Sequence, residues 1–142
     1  IKDTDLNIAL LAGRYTLLDQ SSQNELYPLA LKKNVSIVAA GVMNSGILVN
    51  PKPGAHYDYA PAKIELVNRA IAIKDKLSEF NIPLTAAALQ FPLRHEAVTT
   101  VLVGSATADE MQSNIRDFDI DIPKEAWQSL EDAGLVAQIK NN

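Results

Sequence analysis

Three short runs of the chain are almost unbroken in apolar character: residues 6–12 (LNIALLA), 35–40 (VSIVAA) and 98–103 (VTTVLV). None alternates cleanly between apolar and polar positions. Runs of this length and uniformity predict parallel strands covered on both faces, not half-exposed antiparallel ones. Between them the period becomes helical. Ser22-x-x-Glu25 has the form of a capping box ahead of Leu26, Leu29 and Ala30, and Lys32, Lys33 and Asn34 suit the helix C-terminus. Residues 61–81 predict a second helix, opening on Pro61, with Ile64, Val67, Ile71 and Leu77 as its apolar stripe. Pro83 opens a shorter helix through Leu84, Ala87, Ala88 and Phe91. Thr107-x-x-Glu110 is a second capping box, with Met111 and Ile115 expected on the buried side. Pro123 starts a last helix, in which Trp127 reads as a core anchor beside Leu130.

The order is strand, helix, strand, long loop, two helices, strand, helix, helix. Strands alternating with helices imply crossovers and a parallel sheet, hence an α/β fold. Three strands that are apolar on both faces need cover on both sides. The helices can supply one side; a closed barrel would supply the other, because its remaining strands fill the interior. The stretch from 42 to 60 is long for a loop and carries Asn44, Ser45, Gly46, His56, Tyr57 and Tyr59. Long structured loops inside compact domains are usually functional.

Composition narrows the class. The 142 residues are 47% hydrophobic and 21% charged, which fits one globular domain spanning residues 1–142. A net charge of -4 gives no basic footprint for nucleic acid or anionic lipid. There is no cysteine, so disulfides and thiol chemistry are excluded, and a cytoplasmic setting is expected. No apolar run approaches the roughly 20 residues of a membrane helix. The opening Ile1-Lys2-Asp3-Thr4 lacks Met and leads almost at once into a strand, as in a processed or truncated chain.

Two strand-to-helix junctions carry candidate chemistry. Gly104-Ser105-Ala106-Thr107 joins the third strand to a helix start, where free N–H groups and the dipole favour a phosphate. The same residues also serve a simple cap and turn. The loop from Gly41 to Gly46, after the second strand, contains Met43, Asn44 and Ser45. Gly46 permits close backbone approach, and Ser45 can donate to a phosphate oxygen; a plain polar turn is the other reading. Tyr57 and Tyr59, with His56, could pack on a sugar face or simply on the protein. His95, between Arg94 and Glu96, reads as a helix-end cap or a solvated side chain. Two distant histidines without clustered carboxylates make no metal site.

Four segments, in order and spaced across nearly the whole chain, resemble the aldo-keto reductase family. They are Arg14-Tyr15-Thr16-Leu17-Leu18-Asp19; residues 35–48, ending Asn44-Ser45-Gly46-Ile47-Leu48; Leu102-Val103-Gly104-Ser105 with Glu110 and Asn114; and Phe118-Asp119-Ile120 with Pro123-x-x-x-Trp127. The wording of residues 12–20 is most similar to the aldose 1-dehydrogenase branch, which includes L-fucose, L-galactose and pyridoxal dehydrogenase-like enzymes. The resemblance implies a partial (β/α)8 barrel, strands six to eight, whose partner is the missing N-terminal barrel segment. It implies an NAD(P)-dependent oxidoreductase acting on an aldehyde or sugar. The family's Asp, Tyr, Lys and His tetrad lies on the first four strands, so no catalytic residue is expected here and this chain alone should be inactive. Cofactor binding is expected at Gly41, Met43, Asn44, Ser45, Gly46, Gly104, Ser105, Ala106, Thr107, Glu110 and Asn114, and substrate binding at Tyr57 and Tyr59. Gly104 and Glu110 stand where NADP-preferring relatives place a lysine and an arginine, so NAD is expected over NADP. Ala40 and Ala12 stand where relatives place an aromatic ring and a glutamine around the nicotinamide, so that end must be held differently. A non-catalytic nucleotide-binding or scaffold module on the same fold is the alternative, and an unrelated small α/β domain a further one.

Overall fold

A computed structural model describes residues 1–140. In chain order the elements are β1 (Ile8–Ala12), α1 (Leu26–Lys32), β2 (Ser36–Ala40), a hairpin of β3 (His56–Tyr57) and β4 (Ala60–Pro61), α2 (Ile64–Ser78), α3 (Leu84–Gln90), β5 (Val98–Leu102), α4 (Ala108–Phe118) and α5 (Lys124–Asp132). The order read from the pattern holds, and the long loop resolves into a 3-10 turn at Asn44–Gly46 and the hairpin.

The sheet has the order β1-β2-β5 and is parallel throughout. Ile8 pairs with Ser36, Leu10 with Val38, and Val38 with Thr100. The register sets Ile8, Leu10, Val38 and Leu102 on one face. Ala9, Leu11, Ile37, Ala39 and Val98 lie on the other, packed in or against the core. The first face is open: Ile8 is 62% exposed, Leu10 57% and Leu102 53%. The helices cover one side of the sheet only, as the count of apolar faces anticipated, and no closed barrel forms among the described residues.

The core is one cluster on the covered side, centred on Leu17, Ile37, Ile73, Leu77, Leu89 and Leu130. An aromatic nest lies within it. Tyr15 and Tyr27 rings are 4.7 Å apart, and His95 is 4.6 Å from Tyr27 and 5.6 Å from Tyr15. Burial pushes the Tyr15 hydroxyl up to about 12 and that of Tyr27 further still. Trp127 is buried as anticipated, packing on Phe91 at 6.1 Å, with the Arg94 guanidinium 4.6 Å from its ring.

Four local expectations are corrected. Ser22 caps nothing: it sits in a 3-10 turn, its hydroxyl donates to the Arg14 carbonyl at 2.7 Å, and α1 begins without a side-chain cap. A tertiary acceptor has outcompeted the local one. The second helix starts at Ile64, not Pro61, because Pro61 pairs with His56 in the hairpin. Its buried stripe is Val67, Ala70, Ile73 and Leu77, with Ile64 exposed. Met111 and Ile115 are not buried; with Phe118 and Leu102 they line an open apolar cavity of about 500 Å3 along β5, the edge strand. His95 does stand at the C-cap of the 3-10 turn Phe91–Arg94, but it is not solvated: it is only 1% exposed, Nδ1 accepts the Ala97 N–H at 3.1 Å, and the ring fills a gap between two tyrosines.

Candidate nucleotide site

The loops that follow the three parallel strands gather at the strands' C-terminal ends, where α/β folds place their ligands. At the end of β1, the Gly13 N–H donates to the Ala40 carbonyl at 2.8 Å, so the first two loops leave the sheet side by side. Gly41 has φ +63°, and a Cβ there would lie 3.1 Å from the Gly13 nitrogen, so conformation and close approach both favour glycine.

The β2 loop then takes an unusual path. Asn44, Ser45 and Gly46 are all left-handed, with φ of 47°, 58° and 91°. Asparagine tolerates this conformation, but for Ser45 it costs roughly 1–2 kcal/mol, and such strain concentrates where backbone placement serves a ligand. Hydrogen bonds from Gly46 N–H to the Met43 carbonyl (3.0 Å) and Ile47 N–H to the Asn44 carbonyl (3.3 Å) hold the turn. Asn44 is buried beneath it, and its Oδ1 has no hydrogen-bond partner among the described residues.

Across the sheet, β5 runs through Gly104 into α4. Thr107 caps the helix, its Oγ1 accepting the Glu110 N–H at 3.2 Å. Glu110 Oε2 accepts the Ala106 N–H at 2.7 Å, so the capping box forms with its return bond displaced by one residue. Asn114 Nδ2 donates to Ser105 Oγ at 3.0 Å and folds the junction onto the helix face. Gly104 is bare: a Cβ built there meets nothing within 4 Å.

A cavity of about 330 Å3 joins the two loops. Met43 and Val49 line it from the β2 side, Val103, Gly104, Glu110, Ser113, Asn114 and Asp117 from the β5 side, and Thr85 from the start of α3. Of the expected residues, Met43, Gly104, Glu110 and Asn114 therefore share one cavity. Ser105 joins through Asn114; Ala106 and Thr107 are engaged in the cap; Gly41, Asn44 and Gly46 shape the opposite loop. Ser45 turns toward the hairpin, where its hydroxyl oxygen accepts the Tyr59 N–H at 3.4 Å. Ser113 and Asp117 follow Glu110 at helical spacing, so the period of α4 could have revealed them. Thr85 could not be found that way, because only the packing of α3 on α4 brings it there.

Tyr57 and Tyr59 are not brought to this cavity. Tyr59 is 97% exposed at the hairpin tip, where Asp58 (φ +50°) and Tyr59 (φ +63°) form a two-residue turn with both residues left-handed. Tyr57 is half-buried beside Pro61, Lys63, Leu66 and Arg69, and burial raises its hydroxyl pKa. Arg14 ties the hairpin to the β1 loop, reaching Asp58 at 2.8 Å and Asp19 at 3.5 Å. Among the described residues no group of three His, Asp or Glu side chains could hold a metal, and no helix is long and apolar enough to cross a membrane.

Residues 1–134 match the Aldo/keto reductase family. The chain belongs to this family. Among curated relatives of this family member, the pyridoxal 4-dehydrogenase of Microbacterium luteolum is 45% identical over 138 residues, covering 96% of the chain and 40% of that protein. The D-threo-aldose 1-dehydrogenase of a Pseudomonas species is 36% identical over 138 residues, covering 96% of the chain and 42% of that protein. An aldo-keto reductase from Bacillus halodurans, solved in its holo form, superposes with a TM-score of 0.72 at 24% identity, over 99% of this chain and 46% of that one. The chain thus spans about 40% of the length of the curated relatives it matches.

Proposed function

We propose that the full-length protein transfers hydride between NAD and an aldehyde or sugar carbonyl, as an aldose 1-dehydrogenase-like oxidoreductase, and that residues 1–142 supply the adenosine-side half of its nucleotide site. The observation that carries this reading is the cavity between the β2 and β5 loops. Its lining has the bare Gly104 at the strand end, hydroxyl and amide groups, and carboxylates from Glu110 and Asp117, with no lysine or arginine among the described lining residues. That donor and acceptor set suits a ribose and a base and opposes an added phosphate. When bound, the nicotinamide ring would accept the hydride in oxidation or return it in reduction. This chain's residues hold and orient the nucleotide: Met43 and the strained turn of Asn44, Ser45 and Gly46 from one side, Gly104, Ser105 and Asn114 from the other.

No residue of this chain matches the family's proton-transfer tetrad, and we place that chemistry on a further segment. The same segment would cover the open apolar face of Ile8, Leu10 and Leu102. Tyr59, at the hairpin tip, is proposed to meet the substrate. Steady-state kinetics of the full-length protein with NAD and NADP, against a panel of aldoses and pyridoxal, test the reading. Turnover with NAD at several-fold to tenfold higher kcat/KM than with NADP is expected; equal use of both nucleotides, or no turnover with either, would overturn it.

A further inference from the structure

Face-sharing residues on α4 carry the site further along the helix than its N-terminus. Glu110, Ser113, Asn114 and Asp117 follow the spacing that aligns side chains on one helix face, and all four line the cavity. Seven residues of helix span roughly 10 Å, so Asp117 stands about two turns beyond Glu110. A nucleoside lying along this face, with its ribose beside Glu110, brings its base to Asp117. Met43, Val49 and Val103 line the same cavity and give it apolar walls for a flat ring.

The chemistry of Asp117 fixes what part of the ring it can meet. Thr85 Oγ1 donates to Asp117 Oδ2 and pins the carboxylate from α3. A carboxylate only accepts hydrogen bonds, and one donor leaves most of its lone pairs open. Asn114 Nδ2 is already committed to Ser105. An acceptor held in place in a cavity without a cationic lining side chain calls for a neutral N–H donor.

We propose that Asp117 accepts a hydrogen bond from the exocyclic amine of the adenine ring and so selects an aminopurine dinucleotide over its oxopurine counterpart; this rests on the nucleotide reading above. Replacing the amine by a carbonyl sets acceptor against acceptor, and sites built around a hydrogen bond reject such analogues strongly.

The test is titration calorimetry of the full-length protein with NAD and with nicotinamide hypoxanthine dinucleotide. The wild type binds NAD about tenfold tighter or more. Asp117→Asn keeps an oxygen for Thr85 and adds an N–H2 that can donate to the oxopurine, so the ratio falls to near unity or inverts while the melting temperature holds. Equal affinity of the wild type for the two dinucleotides, or an unchanged ratio in D117N, overturns the role of Asp117 and leaves the nucleotide site standing. Failure to bind either dinucleotide overturns both.

Discussion

Glu110 answers two demands at once. Its Oε2 closes the cap of α4 on the Ala106 N–H, and its carboxylate lies in the wall of the cavity. Two like charges 4 Å apart repel by about 1 kcal/mol in water and about 4 kcal/mol at an effective dielectric of 20, and the exposure of Glu110 favours the lower figure. Glu110→Arg in the full-length protein should therefore raise kcat/KM for NADP relative to NAD by about tenfold, while the melting temperature falls with the lost cap bond. No gain for NADP would remove Glu110 from nucleotide selection and leave it the cap alone. His95 offers a second residue-scale test. Burial holds its imidazole below the ordinary pKa, opposed in part by the Lys140 backbone and Glu96. The folded chain thus prefers the neutral ring, and in the unfolded chain the histidine takes up its proton near pH 6.5. Stability is full above that pH and is lost as pH falls below it. Melting curves of the full-length protein from pH 7.5 to 5 should show this decline, and His95→Gln should flatten it; parallel curves for the two proteins would assign the decline to other groups.

Elements show where local signals sufficed. The Thr107 box was legible because donor and acceptor lie within five residues of each other, whereas the Ser22 box was displaced by the carbonyl of Arg14, eight residues away, which no window reveals. The hairpin is hidden in the sequence because its turn residues are Asp58 and Tyr59, not the Asn-Gly pair that marks such turns. Holding a tyrosine left-handed is costly, and this one is almost wholly exposed. Tyr59→Gly is therefore expected to stabilise the full-length protein by roughly 0.5–1 kcal/mol, read from denaturant midpoints, and to raise KM for the carbonyl substrate. A lower midpoint would show that the ring holds the hairpin; an unchanged KM would take Tyr59 out of substrate binding.

Across the whole molecule, the apolar runs predicted both the parallel sheet and its half-covered state, since helices on one side leave Ile8, Leu10 and Leu102 open. They could not say which faces of α4 go uncovered: Met111, Ile115 and Phe118 are apolar at core spacing but face the cavity beside the edge strand. Residues 1–142 produced alone should accordingly self-associate in size-exclusion chromatography, bind hydrophobic dyes and show no turnover. A monodisperse, cooperatively unfolding monomer would show that this face needs no cover. The two glycines of the site also differ in what they permit to future sequences. At position 41 a side chain would be strained by the positive φ and crowded by the nitrogen of Gly13, whereas position 104 opens onto empty space without a positive φ. Under the proposed nucleotide reading, a lysine could therefore be acquired at 104 without moving the backbone, so that the preference for one dinucleotide over the other can drift while the architecture stays fixed.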